Sequence, residues 1–109
     1  MIVKPVVPRE LASRDVDEAI GYCLTEADDR VALGFIDALE QAYHHIGRHP
    51  TSGSSRDAVE LNLPGLRAWP LGRFPHVVFY VATRDRIDVW RVLHGARDLP
   101  EWMRETESG

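Results

Sequence analysis

The stretch FPHVVFYVA, residues 74–82, decides the fold of this 109-residue chain. Successive residues of a β-strand point to opposite faces of the sheet, and here both alternating sets are largely apolar. The two sets are Phe74, His76, Val78 and Tyr80, and Pro75, Val77, Phe79 and Val81. A strand that is apolar on both sides is typical of the middle of a covered sheet. We therefore predict a central strand with one face under helices.

Two further strand-like runs flank this segment, at residues 66–71 and 87–93. Gly72 and Arg73 separate the first run from the central one, and the polar residues 83–86 separate the central run from the last. Connections this short join antiparallel neighbours, because a parallel pair needs a long crossover. The C-terminal half is thus predicted to be an antiparallel meander.

The N-terminal half begins with a predicted edge strand at residues 2–7, since Pro5 lacks the amide hydrogen that a central strand uses. Apolar residues then recur every three or four positions, which is the spacing of one helical face. The first helix would carry Ala12, Val16, Ala19, Ile20, Cys23, Leu24 and Ala27. The second would carry Val31, Phe35, Ala38, Leu39, Ala42 and Ile46.

The helix boundaries are predicted from capping and stop residues. Thr25 and Asp28 have the spacing of a capping box, so the second helix is expected to start there. Gly47 and Pro50 are expected to stop it, and the polar residues 51–55 form a loop. The close connection between the helices predicts an antiparallel helical hairpin.

The element order gives an α+β fold class in which a helical hairpin packs on an antiparallel sheet. The order is strand, helix, helix and three strands, and then a short C-terminal helix within residues 96–104, where Leu99, Trp102 and Met103 share a three-to-four spacing. A chain of this length has no room for a second core, so residues 1–109 are predicted to form a single domain.

Charge argues against nucleic acid as the primary partner, because the formal net charge is −4. Residues 1–64 carry 6 bases and 11 acids, whereas residues 65–109 carry 7 bases and 6 acids, so the second half is the less acidic surface. Twelve of the 13 bases are arginine, whose planar group suits bidentate contacts to carboxylates or phosphates. We expect no direct sequence-specific binding of nucleic acid.

Cellular location is predicted from the lone cysteine and the absence of long apolar runs. Cys23 has no partner for an intrachain disulfide, which suits a reducing cytoplasm, and its place on a helical stripe predicts a buried small side chain. The start of the chain lacks the apolar run of a signal peptide, and no segment approaches the roughly 20 apolar residues of a membrane span. A cytoplasmic protein without membrane contact is predicted.

The segment RVLHGARDLP, residues 91–100, read together with this element order, resembles the ParE family of toxins. Further features stand in the family's order across residues 2–103. They are the first helix with Asp15 and Ile20, the helix end His49-Pro50 followed by Gly53, Gly65-Leu66-Arg67, and Gly72-Arg73-Phe74 ahead of Val78-Phe79-Tyr80.

The resemblance implies the toxin of a type II toxin–antitoxin system, which binds DNA gyrase and stalls its DNA-cleaved state without being an enzyme. It also implies a ParD-like antitoxin, encoded beside the toxin, whose helical tail wraps it in a hetero-oligomer. No cofactor or metal is expected. The residues expected to contact partners are Arg67, Arg73, Arg91, His94, Arg97, Trp102 and Met103.

Each of these residues also has a structural interpretation. Arg91 lies mid-strand and can pair with Asp88, Asp98 or a helix acid, while Arg67 can stack on Trp69. His94 can hydrogen-bond the turn before the last helix. Trp102 and Met103 either close the small core or form an apolar patch for a partner.

A second hypothesis is the ribosome-dependent messenger RNA endonuclease of the related RelE toxins. By that resemblance Arg97 keeps a family arginine, the arginine of the central strand falls near His76, and the catalytic tyrosine falls near Met103. Methionine cannot transfer a proton, which counts against cleavage, although His76 or His94 can serve as acid or base. A third hypothesis is a domain that has lost toxicity and persists as a binding partner or repressor subunit.

Three histidines, His44, His45 and His49, cluster at the end of the second helix, and His45 with His49 has the spacing of a metal-binding pair. No third ligand is evident nearby, and a helix C-terminus favours histidine through its dipole. Tyr22 and Tyr43 are interpreted as packing residues.

Overall fold

In the computed structural model, which describes residues 3–95, the predicted strands and helices follow one another in the predicted order, with one further short helix between the second helix and the second strand. The elements are β1 (Val6–Pro8), α1 (Glu10–Glu26), α2 (Asp29–Arg48), α3 (Arg56–Glu60), β2 (Leu66–Pro70), β3 (His76–Ala82) and β4 (Ile87–His94). The short helix predicted within residues 96–104 lies outside the described residues. The structure thus has an α+β fold, with a helical hairpin packed on a sheet.

The sheet has four strands in the order β1-β4-β3-β2. Strands β2, β3 and β4 form the predicted antiparallel meander, with β3 between the other two. β1 lies at the edge as predicted, but it spans Val6–Pro8 rather than residues 2–7. β1 pairs with β4 in parallel, however, so the sheet is mixed rather than antiparallel throughout. The antiparallel expectation therefore holds for three of the four strands.

The parallel pairing follows from the path of the helical hairpin. α1 continues onward from β1, and α2 returns to the start of β1, where Lys4 N donates to Gly47 O over 3.0 Å. β2 therefore begins at the same end of the sheet as β1 and runs in the same direction. Two reversals later β4 has that direction too, which makes its pairing with β1 parallel.

Gly47 was expected to stop α2, but it lies inside the helix, which ends at Arg48. A Cβ at this position would stand 2.9 Å from Lys4 O, closer than real Cβ atoms approach. Glycine is needed here because the backbone just ahead of β1, at Lys4, passes against the helix. The residue fixes the return of the chain to β1 rather than the end of the helix.

The turn of the hairpin corrects one predicted boundary. Thr25 lies within α1, which extends to Glu26, and only Ala27 and Asp28 connect the helices. Asp28 is itself the N-cap of α2, because its side chain accepts a hydrogen bond from Val31 N over 3.0 Å. The capping-box prediction with Thr25 as the cap was wrong, because Thr25 lies inside α1 and the Asp28 carboxylate caps α2.

Both faces of β3 are buried, as its apolar pattern predicted. On one face Val78 and Tyr80 pack with the hairpin, including Phe35 and Ile46 of α2. On the other face Phe79 packs in a second cluster with Leu63, Leu66, Ala68 and Leu93. Ala58 of α3 and Leu61 also pack against this second cluster. They lie in the connection between α2 and β2, for which the sequence predicted no helix. Among residues 3–95 no helix is long and apolar enough to cross a membrane.

Candidate partner-binding surface

Arg91 of β4 is held by Asp15 of α1 in a buried bidentate ion pair. Its Nε and Nη2 atoms each donate to an Asp15 oxygen over 2.8 Å, and Val92 N donates to the same carboxylate over 3.0 Å. The two side chains are only 3% and 9% exposed. The sequence left several partners open for Arg91, and in the structure its partner is a helix acid, Asp15.

A β-bulge explains how Arg91 reaches the hairpin. Arg91 pairs in register with Phe79, which belongs to the cluster on the opposite face of the sheet, while Val89 pairs with Tyr80. Trp90 is therefore an extra residue on β4. A bulge of this kind bends the strand and re-aims a side chain, so that Arg91 meets α1 instead of the second cluster.

Tyr43 of α2 lies near this ion pair. Burial and, to a smaller extent, the negative charge of Asp15 together raise the pKa of the Tyr43 phenol to about 12. The phenol is neutral over the physiological range. The interpretation of Tyr43 as a packing residue agrees with its contacts, because it packs against the main core cluster.

Arg67 and Tyr80 hold the chain that follows α2 by hydrogen bonds. The Tyr80 hydroxyl donates to Pro50 O over 2.9 Å and accepts from Gly53 N over 3.0 Å. Arg67 Nη1 donates to Thr51 O and Gly53 O, over 3.1 and 2.9 Å. We call this part of the molecule, residues 49–54 with Arg67 and Tyr80, the closed end of the sheet.

The closed end depends on two residues whose roles the sequence did not reveal. A Cβ on Gly53 would stand 2.6 Å from the Tyr80 hydroxyl oxygen, so the hydroxyl occupies the space that any other side chain would need. Burial raises the pKa of Tyr80. The available signal was a tyrosine within an apolar strand, because a buried hydroxyl requires a hydrogen-bonding partner.

The opposite end of the sheet carries exposed polar side chains. We call residues 70–76 together with residues 93–95 the open end. Arg73, in the turn between β2 and β3, and His94, at the end of β4, are both exposed there. The two segments are joined where Gly95 N donates to Pro75 O over 2.7 Å. Two of the predicted contact residues therefore share one end of the sheet.

His76 and His94 face each other across β3 and β4 at the open end. They pair in register, and their ring centroids lie 5.2 Å apart in an edge-to-face arrangement. The His76 ring also meets the Phe35 ring at 5.0 Å. Burial lowers the pKa of His76, and the neighbouring His94 lowers it further. The neutral form of the His76 imidazole is therefore favoured.

A groove with a volume of about 810 Å³ runs between α1 and the open end. Its apolar lining includes Ala19, Cys23 and Ala27 of α1 and the neighbouring connection, Val31 of α2, and Phe74 and Pro75 of the turn. Arg14, Glu18 and Glu26 add charges of both signs. His76, His94 and Gly95 also line it, so the groove and the exposed residues of the open end are continuous.

The histidines at the end of α2 are part of a ring stack. His45 lies on the Trp69 ring with centroids 4.4 Å apart and an angle of 20° between the planes, and the His49 ring is 5.0 Å from His45. Trp69 is thus stacked by His45 rather than by Arg67. Within residues 3–95, no group of three or more histidine, cysteine or acidic side chains could hold a metal ion.

The seven predicted contact residues therefore fall into three groups. Arg73 and His94 are exposed together at the open end, whereas Arg67 and Arg91 make contacts within the fold. Arg97, Trp102 and Met103 lie outside the described residues. Charge and periodicity could not separate these groups, because an arginine beside a strand looks the same whether its partner is a helix carboxylate, a loop carbonyl or another protein.

A helical hairpin on one face of a small mixed sheet agrees with the fold of the small toxin domains that the sequence suggested. The family model described as the ParE toxin of the type II toxin–antitoxin system parDE matches residues 6–99. The chain belongs to this family, and it is a ParE-type toxin of a parDE system. Such a system implies an antitoxin partner.

A solved structure supports the fold independently of sequence. A chain described as the chromosomal ParDE toxin–antitoxin system from P. aeruginosa superposes with a TM-score of 0.71 and 16% sequence identity. The match covers 85% of this chain and 97% of that one. At this identity the likeness shows the fold alone. No curated protein matches the chain.

Proposed function

We propose that this toxin acts by binding DNA gyrase and stalling its DNA-cleaved state, and that a cognate ParD-like antitoxin neutralises it in a hetero-oligomer in the cytoplasm. The ParE toxin family is typically non-enzymatic. The observation that carries the proposal is the open end, where Arg73 and His94 are exposed beside the groove. Arg91, the strand arginine that lines this groove, is paired with the Asp15 carboxylate and serves the fold.

The proposed working face is the open end. Arg73 and His94 are its exposed polar residues among residues 3–95, and Arg97 follows closely in sequence. An exposed arginine beside an apolar groove is the combination found at the energetic centres of protein interfaces. Arg67 and Arg91 contribute indirectly in this proposal, by holding the fold that presents the face.

The proposal is tested by incubating the purified chain with gyrase, ATP and supercoiled plasmid. Linear DNA is the expected product, since a stalled cleavage complex releases broken DNA on denaturation. Arg73→Ala and His94→Ala should each lower its yield about 10-fold, which corresponds to about 1.4 kcal/mol of binding free energy. Arg84→Ala is the matched control, because Arg84 is an exposed arginine in the other strand turn.

Failure of the chain to give linear DNA would overturn gyrase as the target. Equal yields from Arg73→Ala, His94→Ala and Arg84→Ala would overturn the open end as the contact surface while leaving the target in place. The antitoxin part is tested separately, by co-expressing the short reading frame that adjoins this one. A stable complex and restored growth are expected, and growth arrest despite expression of that neighbour would contradict the proposal.

The segment of residues 96–104, with Arg97, Trp102 and Met103, is also proposed to contribute to target engagement. A chain truncated after Asp98 is expected to lose toxicity in growth tests, provided that circular dichroism shows that it still folds. Undiminished toxicity of the folded truncation would refute this contribution.

The RelE-type ribonuclease remains a second candidate because His76 and His94 adjoin each other at the groove. Two adjoining imidazoles can act as base and acid toward a 2′-hydroxyl and a leaving oxygen. Codon-positioned cuts on translating ribosomes, abolished by His76→Ala, would favour this candidate. Their absence together with linear plasmid DNA would favour gyrase. A chain that binds the antitoxin without arresting growth would instead be a binding subunit that has lost toxicity.

A further inference from the structure

The backbone ladder brings the side chains of His76 and His94 close together. The two residues pair in register across β3 and β4, and at the next residues along the two strands Gly95 N donates to Pro75 O over 2.7 Å. Hydrogen-bonded and non-hydrogen-bonded pairs alternate in an antiparallel ladder, so His76 and His94 form a non-hydrogen-bonded pair, in which the Cα atoms are typically about 4.5 Å apart. Two imidazoles from separate strands are therefore held side by side at the open end.

The distance between the two rings is that of a metal-binding pair. Their centroids lie 5.2 Å apart. Each bond between zinc and an imidazole nitrogen is about 2.1 Å long, so two rings on one tetrahedral ion have centroids roughly 5 Å apart. The His76 ring packs against Phe35, whereas His94 is exposed, so the His94 ring can turn toward a shared ion.

His76 has a nitrogen that the described part of the fold leaves without a partner. Its Nδ1 atom is buried, and no group in residues 3–95 forms a hydrogen bond with it. A buried polar atom without a partner costs free energy, and a bound ion would satisfy its lone pair. Metals bind the neutral form of imidazole, which burial and then His94 favour at His76 by lowering its pKa.

We propose that His76 and His94 together bind one divalent transition-metal ion of the class of zinc, copper and nickel. Imidazole suits these ions, whereas magnesium and calcium select oxygen ligands. Residues 3–95 contain no group of three or more histidine, cysteine or acidic side chains that could hold a metal, so these residues supply two ligands. The inference does not rest on gyrase as the target.

The groove determines what else the ion can contact. Both histidines line it, and so do Asp15 and Arg91, which neutralise each other. In the described lining this leaves Glu18 and Glu26 against Arg14, and an excess of negative charge favours a cation. A tetrahedral ion with two protein ligands keeps two positions open, where water, or a carboxylate or imidazole of a bound partner, can complete the coordination.

A second histidine pair of similar separation lies at the end of α2. The ring centroids of His45 and His49 are 5.0 Å apart. Neither ring has a buried nitrogen that lacks a partner, and His45 is stacked on Trp69. This helical pair is therefore the matched comparison for the pair at the open end.

NMR spectroscopy of the imidazole proton signals tests the site while the metal-free wild-type chain is titrated with Zn²⁺. We expect the signals of His76 and His94 to change together, and to stop changing at one zinc ion per chain. Changes confined to His45 and His49 would overturn the proposal in favour of the helical pair. Unchanged signals at all four residues would also overturn it.

Isothermal titration calorimetry then measures the Kd for Zn²⁺ in the purified variants. His94→Gln should raise Kd about 10-fold or more, because two ligands held together bind an ion far better than one. His76→Gln should have the same effect, provided that circular dichroism shows a native fold. His49→Gln is the control and should leave Kd unchanged. Equal Kd values in His94→Gln and the wild type would contradict the proposal.

Cys23 requires a separate control, because it also lines the groove and thiolates bind zinc. Cys23→Ser is expected to leave Kd for Zn²⁺ unchanged. A Kd that rises in Cys23→Ser but not in His94→Gln would assign the ion to the thiol and refute the histidine site. None of these measurements involves gyrase or RNA, so failure here is distinguishable from failure of the proposed function.

Discussion

The two ends of the sheet have opposite constructions. At the closed end, buried hydrogen bonds from Tyr80 and Arg67 hold residues 49–54 against the strands. At the open end, Arg73 and His94 are exposed and a groove separates the sheet from α1. The Arg91–Asp15 pair lies between the two ends and ties β4 to α1.

Similar side chains therefore stabilise the fold at one end and are available to partners at the other. Arg67 donates to two backbone carbonyls, whereas Arg73 projects from a turn. Since buried polar groups need partners within the fold and exposed ones do not, burial separates the stabilising residues from the candidate contacts. Rigid attachment at one end allows the other to present a surface, which is the usual division between scaffold and binding site.

The largest expected effect comes from breaking the Arg91–Asp15 pair, which ties β4 to α1. Asp15→Ala removes the carboxylate from Arg91, a buried cation, and from Val92 N. We expect the free energy of unfolding to fall by about 3–5 kcal/mol, the range seen when one member of a buried pair is deleted. Urea denaturation followed by circular dichroism measures the change.

Asp17→Ala is the matched control for Asp15→Ala, because Asp17 is an exposed acid on the same helix. Its effect should stay within about 0.5 kcal/mol. A loss below about 1 kcal/mol for Asp15→Ala would show that the pair does not hold α1 to β4.

A smaller effect is expected at the closed end from Tyr80→Phe. The substitution removes the donor to Pro50 O and the acceptor of Gly53 N, leaving buried backbone groups unsatisfied. A loss of about 1–3 kcal/mol is expected in chemical denaturation. Tyr22→Phe, at a tyrosine that is 69% exposed, should change nothing measurable. An unchanged stability for Tyr80→Phe would contradict the distinction between the two ends.

The smallest effect on stability is expected at the open end, where the readout is the pKa of His76. Burial and then His94 lower this pKa below the ordinary value of 6.5, so the unfolded chain binds the proton more tightly. The stabilising contribution is complete above about pH 6.5 and is lost as the pH falls through the pKa of the folded state. His94→Gln should raise the pKa of His76 part of the way back, because burial remains.

Titration of the imidazole proton signals by NMR measures the His76 pKa in the wild type, in His94→Gln and in His44→Gln. The last is the control, since His44 is exposed and lies on α2, away from the pair. A wild-type His76 pKa at the ordinary value would contradict this expectation. So would a His76 pKa that is the same in His94→Gln as in the wild type.

The helices, the meander and the burial of β3 could be predicted because they depend on local spacing. The parallel pairing of β1 could not, since it depends on where α2 brings the chain back, which Gly47 permits by its contact with Lys4 O. The cap of α2 was misjudged because both Thr25 and Asp28 are capping residues, and only the length of α1 decides between them. The short helix α3 has too few residues for a periodic pattern.

Local features of the sequence were enough to identify a small α+β domain of the ParE type, namely the apolar periods of its helices and strands and the segment around His94 and Gly95. Which arginines are used within the fold depends on the tertiary structure. Arg91 and Arg67 find their partners 76 and 14 residues away, at Asp15 and Gly53. Such partners are set by the bulge, the return of α2 and the packing of α1 on β4, since a side chain's burial depends on the elements that fold over it.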